Sequence, residues 1–163
     1  MRSLLFCLAL ALTACGQESP RPNINIGSPA PAFDVHPVNG QVTTFPAAYA
    51  GKPLVVRFWA DWCKYCAGEM QAIEAVYQRH RAQGLTVLAI NAGQDKATVE
   101  AFIRQIGVTY PALLDPDSVI AKRYGVVGLP TTFFIDGRGV VRAKIVGEAD
   151  GATFERQAQE LLR

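Results

Sequence analysis

Cys63 and Cys66 flank the dipeptide Lys64-Tyr65 directly after Trp62, a spacing at which two thiols can exchange one electron pair as dithiol and disulfide. The attacking species in such exchange is a thiolate, which needs positive potential around it. The pair stands where a nearly continuous apolar run, Leu54-Val55-Val56-Arg57-Phe58-Trp59, gives way to a helix-period segment from Cys63 to Gln83. Unpaired N–H groups and the dipole at that helix N-terminus favour a thiolate. Cys63, in the first turn, meets a partner and forms a mixed disulfide. Cys66, one turn later and beneath it, releases the partner by a second exchange. Two blander uses compete. A structural zinc site takes four ligands, yet there is no second Cys-x-x-Cys, and the only histidines, His36 and His80, stand well apart from the pair in sequence. A purely structural disulfide closing so short a loop gains little chain-entropy stabilisation. Redox use is the better reading.

The elements that must position this pair can be read from periodicity. Val38-Asn39-Gly40-Gln41 places an Asn-Gly turn between two short extended segments, an N-terminal β-hairpin. Pro46 to Lys52 reads as a connector with one helical turn. Leu54 to Trp59 has the composition of a central strand covered on both faces. Met70, Ile73, Val76 and Tyr77 share one face of the helix that follows, and Gly84 suits its C-terminal stop. Leu85 to Asn91 is a second buried strand. Asp95 caps a helix carrying Val99, Phe102, Ile103 and Ile106, closed by Gly107. Asp115-Pro116-Asp117 opens a short helix ending at Gly125. Thr131 to Ile135 and Val140 to Val146 are strands joined by the turn Asp136-Gly137-Arg138-Gly139, and Asp150 caps a last helix through Leu162. Helical crossovers give parallel pairs and tight hairpins antiparallel ones. The expected fold class is therefore α/β, a central mixed β-sheet with helices on both faces.

Half of the 163 residues are hydrophobic, 18% are charged, and the net charge is +2. That suits one ordinary domain with a real core. No Lys/Arg run reaches four residues, so nucleic-acid binding has no electrostatic footing. The N-terminus is a separate object. Met1-Arg2 is followed by an apolar run from Leu4 to Ala14, the size of a signal-peptide core and too short to span a bilayer as a helix. Leu12-Thr13-Ala14-Cys15 resembles the lipobox of bacterial lipoproteins, which implies cleavage before Cys15 and its lipidation. An ordinary secretory signal with an incidental cysteine, or a buried N-terminal helix, is the alternative. On the lipoprotein reading, residues 1–14 are a signal peptide, 15–31 a lipidated cysteine and flexible Pro-rich tether, and 32–163 the folded domain. Cys7 then leaves with the signal, and the mature domain keeps only Cys63 and Cys66, in a compartment that permits disulfides.

Phe58-Trp59-Ala60-Asp61-Trp62-Cys63-Lys64-Tyr65-Cys66 is similar to the active-site strand and loop of thioredoxins. Gly128-Leu129-Pro130-Thr131-Thr132-Phe133-Phe134-Ile135-Asp136 is similar to their second signature. With the N-terminal hairpin and the inserted helix, residues 27 to 163 resemble the TlpA/ResA branch of membrane-anchored thioredoxin-like proteins. The resemblance implies a thioredoxin fold and a redox-active Cys63–Cys66 disulfide with no cofactor and no metal. Trp62, Lys64, Tyr65, Leu129, Pro130, Arg57 and Gln94 would support the site. It also implies a cis Leu129–Pro130 bond that leaves Leu129 backbone groups free to pair with an extended substrate. Members of that branch commonly reduce disulfides outside the cytoplasm, often in cytochrome c maturation, with electrons from a membrane protein of DsbD/CcdA type. The expected protein is thus a monomer, lipid-anchored and facing the periplasm or cell exterior, that acts on protein disulfides.

Three positions depart from the pattern. Arg57 stands where thioredoxins carry a buried Asp and the closer branch usually Asn. Either Arg57 finds a partner and is structural, or it is a cation that favours thiolates and makes the couple more oxidising than thioredoxin's approximately −270 mV. Gln94, in Asn91-Ala92-Gly93-Gln94, stands where the resemblance places a Glu that manages the second cysteine's proton. Lys64-Tyr65 lacks the usual Pro between the cysteines, and an exposed Lys64 favours the thiolate only weakly once screened. Peroxidase chemistry is disfavoured because Ala60 replaces the Thr or Ser that peroxiredoxins place three residues before their cysteine. A disulfide oxidant or isomerase, or a non-catalytic binding protein such as a copper chaperone, completes the alternatives. Copper chaperones of this fold resemble Cys-x-x-x-Cys with a downstream His; here the spacing is Cys-x-x-Cys, and the last histidine, His80, falls within the helix that follows the pair.

Overall fold

A computed structural model describes residues 24–163. The apolar run, Cys15 and the first part of the tether lie outside the described residues. The strands are β1 (Phe33–Val35), β2 (Thr43–Phe45), β3 (Leu54–Trp59), β4 (Thr86–Ala92), β5 (Ala112–Asp115), β6 (Thr131–Ile135) and β7 (Val141–Val146). The helices are α1 (Cys66–His80), α2 (Lys96–Ile106), α3 (Val119–Arg123) and α4 (Gly151–Leu161). The main sheet has the order β5-β4-β3-β6-β7. β3 runs parallel to β4 and β4 parallel to β5, while β6 and β7 are antiparallel to their neighbours. This is the thioredoxin fold.

Alternation along β3 divides the core. Val55 and Trp59 pack with Met70, Ile73, Val76 and Phe154 under α1 and α4. Leu54, Val56 and Phe58 face Phe33, Phe45, Ile120 and Tyr124, from the hairpin and α3. Every β3 residue is buried, as its apolar run requires for a strand sandwiched by two layers. α2 packs on the first side, where the Phe102 ring stacks on Trp59 with centroids 4.8 Å apart.

Four details differ from the sequence reading. β5 has no sequence signal: its four residues between Pro111 and Pro116 carry no alternation long enough to mark a strand. α1 begins at Cys66, not Cys63, because residues 61–65 form turns that carry the first cysteine ahead of the helix. The Asn39-Gly40 turn is the tip of a longer loop between β1 and β2, paired Phe33↔Phe45 to Val35↔Thr43. Loop residues 36–38 instead pair with β5, where Val38 N–H donates to Ala112 O at 2.9 Å.

The stretch expected to be mobile through residue 31 is, from Ile24 on, part of the folded body. Gly27 N–H donates to Val141 O and Ala30 N–H to Gly139 O, each at 2.8 Å, and Ile24 and Ala30 are buried. Prolines can occupy this position because it is a sheet edge, where few ladder N–H groups are needed. Register places Val141 beside Ile135 and Ile135 beside Leu54. The docking point is therefore at the start of β3, the end of the sheet away from Trp59.

Candidate active site

The carboxyl end of β3 delivers the chain into the loop Ala60–Tyr65. Cys63 N–H donates to Ala60 O at 3.2 Å and Cys66 N–H to Cys63 O at 3.0 Å. Cys63 and Cys66 are joined as a disulfide. Cys66 is fully buried, whereas Cys63 keeps 7% of its surface, so the first cysteine is the one nearer a partner. In the disulfide form it is less open than the sequence reading expected. No side chain caps α1. At α2 and α4, by contrast, Asp95 and Asp150 accept from Thr98 and Thr153 N–H at 2.8 Å. The first-turn N–H groups of α1 therefore remain uncompensated by side-chain oxygen, which suits a neighbouring thiolate.

Beside the cysteines, exposed apolar side chains stand among the exposed charges of Asp61 and Lys64. Trp62 is 70% exposed, Tyr65 42% and Val127 74%, and Lys64 Nζ lies 5.0 Å from the Tyr65 ring centroid. The Leu129–Pro130 bond is cis. Pairing of Phe58 with Thr131 brings Pro130 alongside the strand end that leads to Cys63. A second cis bond, Phe45–Pro46, had no signature in the sequence.

Arg57 is wholly buried. Its Nη1 donates to Thr132 Oγ1 at 2.8 Å, its Nη2 to Glu69 Oε2, and the guanidinium carbon lies 5.7 Å from the Phe154 ring centroid. Burial pulls its pKa below the ordinary value, and Glu69 opposes this through charge and hydrogen bonding. Ala149 N–H donates to the other carboxylate oxygen of Glu69. Arg57 is thus partnered and does not stand as a free cation, and the condition for an oxidising shift is unmet.

Glu69 is a buried acid that the sequence reading did not single out. A buried carboxylate does accompany the cysteines, on α1 rather than after the second strand, three residues beyond Cys66. Residues at that spacing are helix neighbours with Cβ atoms about 5–6 Å apart. Its signal was present in the sequence: Glu69 interrupts the face formed by Cys66, Met70 and Ile73, and a charge on a core face demands a partner.

Gln94 lies across the loop. Its Oε1 accepts from Asp61 N–H and from Asn91 Nδ2, each at 2.8 Å, and its Nε2 donates to Asp61 Oδ1 at 2.5 Å. Asn91 is fully buried and its Oδ1 has no protein partner. Among the described residues no three His, Cys, Asp or Glu side chains are grouped to hold a metal.

The profile of the AhpC/TSA family matches residues 26–144. The chain belongs to the AhpC/TSA family. Within it, this AhpC/TSA protein is similar to the thiol-disulfide oxidoreductase ResA of Geobacillus kaustophilus, 34% identical over 138 residues, covering 85% of this chain and 79% of that one. The ResA of Geobacillus thermodenitrificans is 37% identical over 124 residues, covering 76% and 71%. A solved Chlorobium tepidum structure, a thiol:disulfide interchange protein of the thioredoxin family, superposes with TM-score 0.75 at 28% identity, covering 87% of this chain and all of that one. This AhpC/TSA member is a thiol–disulfide oxidoreductase of the ResA-like thioredoxin type, and its redox group is a cysteine disulfide.

Proposed function

We propose that the protein reduces disulfides of envelope proteins, apocytochromes c among them, through the Cys63/Cys66 dithiol. The observation that carries this reading is the graded accessibility of the pair: Cys63 keeps a small exposed surface and Cys66 none. In the reduced protein the Cys63 thiolate attacks one substrate sulfur, forming a mixed disulfide and expelling the other substrate sulfur as a thiolate that takes up a proton. Cys66 loses its proton and attacks Cys63 Sγ, which restores the intramolecular disulfide and releases the second substrate thiolate to be protonated. Two electrons and two protons pass to the substrate. A membrane dithiol donor of DsbD/CcdA type returns them by the same exchange in reverse.

Trp62, Tyr65 and Val127 supply an apolar docking rim, and Leu129 and Pro130 border it. Lys64 adds a weak, solvent-screened preference for the thiolate. The leader residues 1–14 and a lipid on Cys15 would hold a monomeric domain to a bacterial membrane, facing the periplasm or exterior. Lipobox spacing supports this, and a disulfide-permissive compartment is what the chemistry needs. The test is equilibration of the soluble domain with glutathione or dithiothreitol buffers, together with reduction of a protein disulfide. A potential near thioredoxin's approximately −270 mV and reduction that is lost in Cys63→Ser support a reductant. A potential near approximately −120 mV, the range of strong oxidants, replaces it with the oxidant reading.

A further inference from the structure

The turn that carries Cys63 has little of its own to hold it. Its one backbone bond ahead of the cysteine is Cys63 N–H to Ala60 O, and Asp61 and Trp62 are exposed. Gln94, arriving from the β4–α2 connection, closes two bonds on Asp61 and a third on Asn91. The amide orientation is fixed by chemistry, because a backbone N–H can meet only the oxygen and a carboxylate can meet only the N–H₂. The ground on which Gln94 stands is rigid. Asn91 is register-paired with Trp59, Asp95 caps α2, and Phe102 of α2 stacks on Trp59. Asn91 gives its donor to Gln94 while its own Oδ1 stays without a protein partner, a local cost of the sort that concentrates at functional sites.

We propose that Gln94 is a positioning residue of the redox loop, clamping Asp61 so that Cys63 is held in place and the Asp61 carboxylate is engaged away from the cysteines. This rests on the dithiol reading of Cys63 and Cys66. Against the Asp61 backbone N–H and carboxylate together, only a neutral group with both a donor and an acceptor makes the clamp. A glutamate at 94 keeps the two acceptor bonds, loses the donor, and sets a second carboxylate against the first. The added negative charge and the freed Asp61 then disfavour the Cys63 thiolate.

The experiment measures the alkylation rate of reduced Cys63 against pH in the soluble domain, with iodoacetamide as probe and Cys66→Ala as common background. Gln94→Glu is expected to slow alkylation at neutral pH about tenfold and move the midpoint of the pH profile upward, and Gln94→Ala to move it less. The exchange Asp61→Asn/Gln94→Glu reverses donor and acceptor at unchanged net charge, so it is expected to restore the wild-type profile. Wild-type profiles in Gln94→Glu and Gln94→Ala, or no recovery in the exchange variant, overturn the proposal. If Gln94→Glu does not fold, Gln94→Ala and the exchange variant decide alone. Reduction of a protein disulfide by the wild type is run in parallel. If it persists in Cys63→Ser, the dithiol reading has failed; if it requires Cys63 while the Gln94 profiles do not move, only the clamp has.

Discussion

Arg57→Met keeps most of the apolar stem of residue 57 and removes the cation from between β3, Thr132 and Glu69. Glu69 is then buried with Ala149 N–H as its remaining described partner. Breaking one side of a buried ion pair costs about 3–5 kcal/mol, a large share of the roughly 5–15 kcal/mol that holds a domain folded. Removing both charges in Arg57→Met/Glu69→Gln should recover most of that loss, since the amide oxygen can still accept from Ala149. The redox effects carry opposite signs. If the charge of an unpaired Glu69 and a thiolate at Cys66 stood no farther apart than helix-neighbour Cβ atoms, about 6 Å, they would interact by about 3 kcal/mol at an effective dielectric near 20. That is an upper bound of about two pKa units on the thiol. The penalty falls on the ionised dithiol, so at a pH where the reduced pair carries the charge the potential should become more negative by up to roughly 60 mV. Glu69→Gln leaves Arg57 unopposed and should move it the other way. Urea unfolding and equilibration against glutathione read both effects. Shifts of the same sign in the two single variants, or none in either, would refute the view that the pair acts as a neutral unit beside the disulfide.

Cys66→Ser should accumulate mixed disulfides with protein partners on non-reducing gels while Cys63→Ser should not, and the reverse pattern would exchange their roles. Replacing Cys15 with Ala should release the full chain from membranes into the soluble fraction; retention without lipid would remove the lipoprotein reading. Hydrogen bonds from His80 and then Arg79 hold the Glu155 carboxyl down at about 2, against an ordinary value of 4.5. A depressed carboxyl stabilises the fold above its unfolded pKa, and that contribution drains away as pH falls from about 4.5 toward about 2. Glu155→Gln should therefore flatten the acid side of the stability profile in that window, as thermal unfolding midpoints would show, and an unchanged slope would exclude the link.

How legible the protein was in its sequence depends on the range of the interaction concerned. Leu54–Trp59, the α2 stripe and the Asp95 and Asp150 caps are local signals, and each element lies where its period and caps put it. β5 was not legible because a four-residue edge strand becomes a strand only when β4 and residues 36–38 pair with it. The docking of residues 24–31 was hidden for a related reason. A proline-rich stretch has no apolar period, and its bonds go to an edge formed by residues more than a hundred positions later. The cysteines were readable from type and spacing. Arg57 is odd in type for a buried strand, yet nothing in the sequence ties residue 57 to residue 69 until β3 and α1 are packed. Gln94 was read as an acid gone missing; in the fold it is an amide bound to an acid already there, Asp61.

The N-terminal strip docks at Gly139–Val141, beside the start of β3, while the disulfide lies past the end of that strand. Six residues at about 3.3 Å each separate the two poles by the better part of 20 Å. The chain therefore enters the folded body at the pole opposite the disulfide. A contact made on the N-terminal side of Ile24 would thus leave the Cys63 face open to an extended substrate.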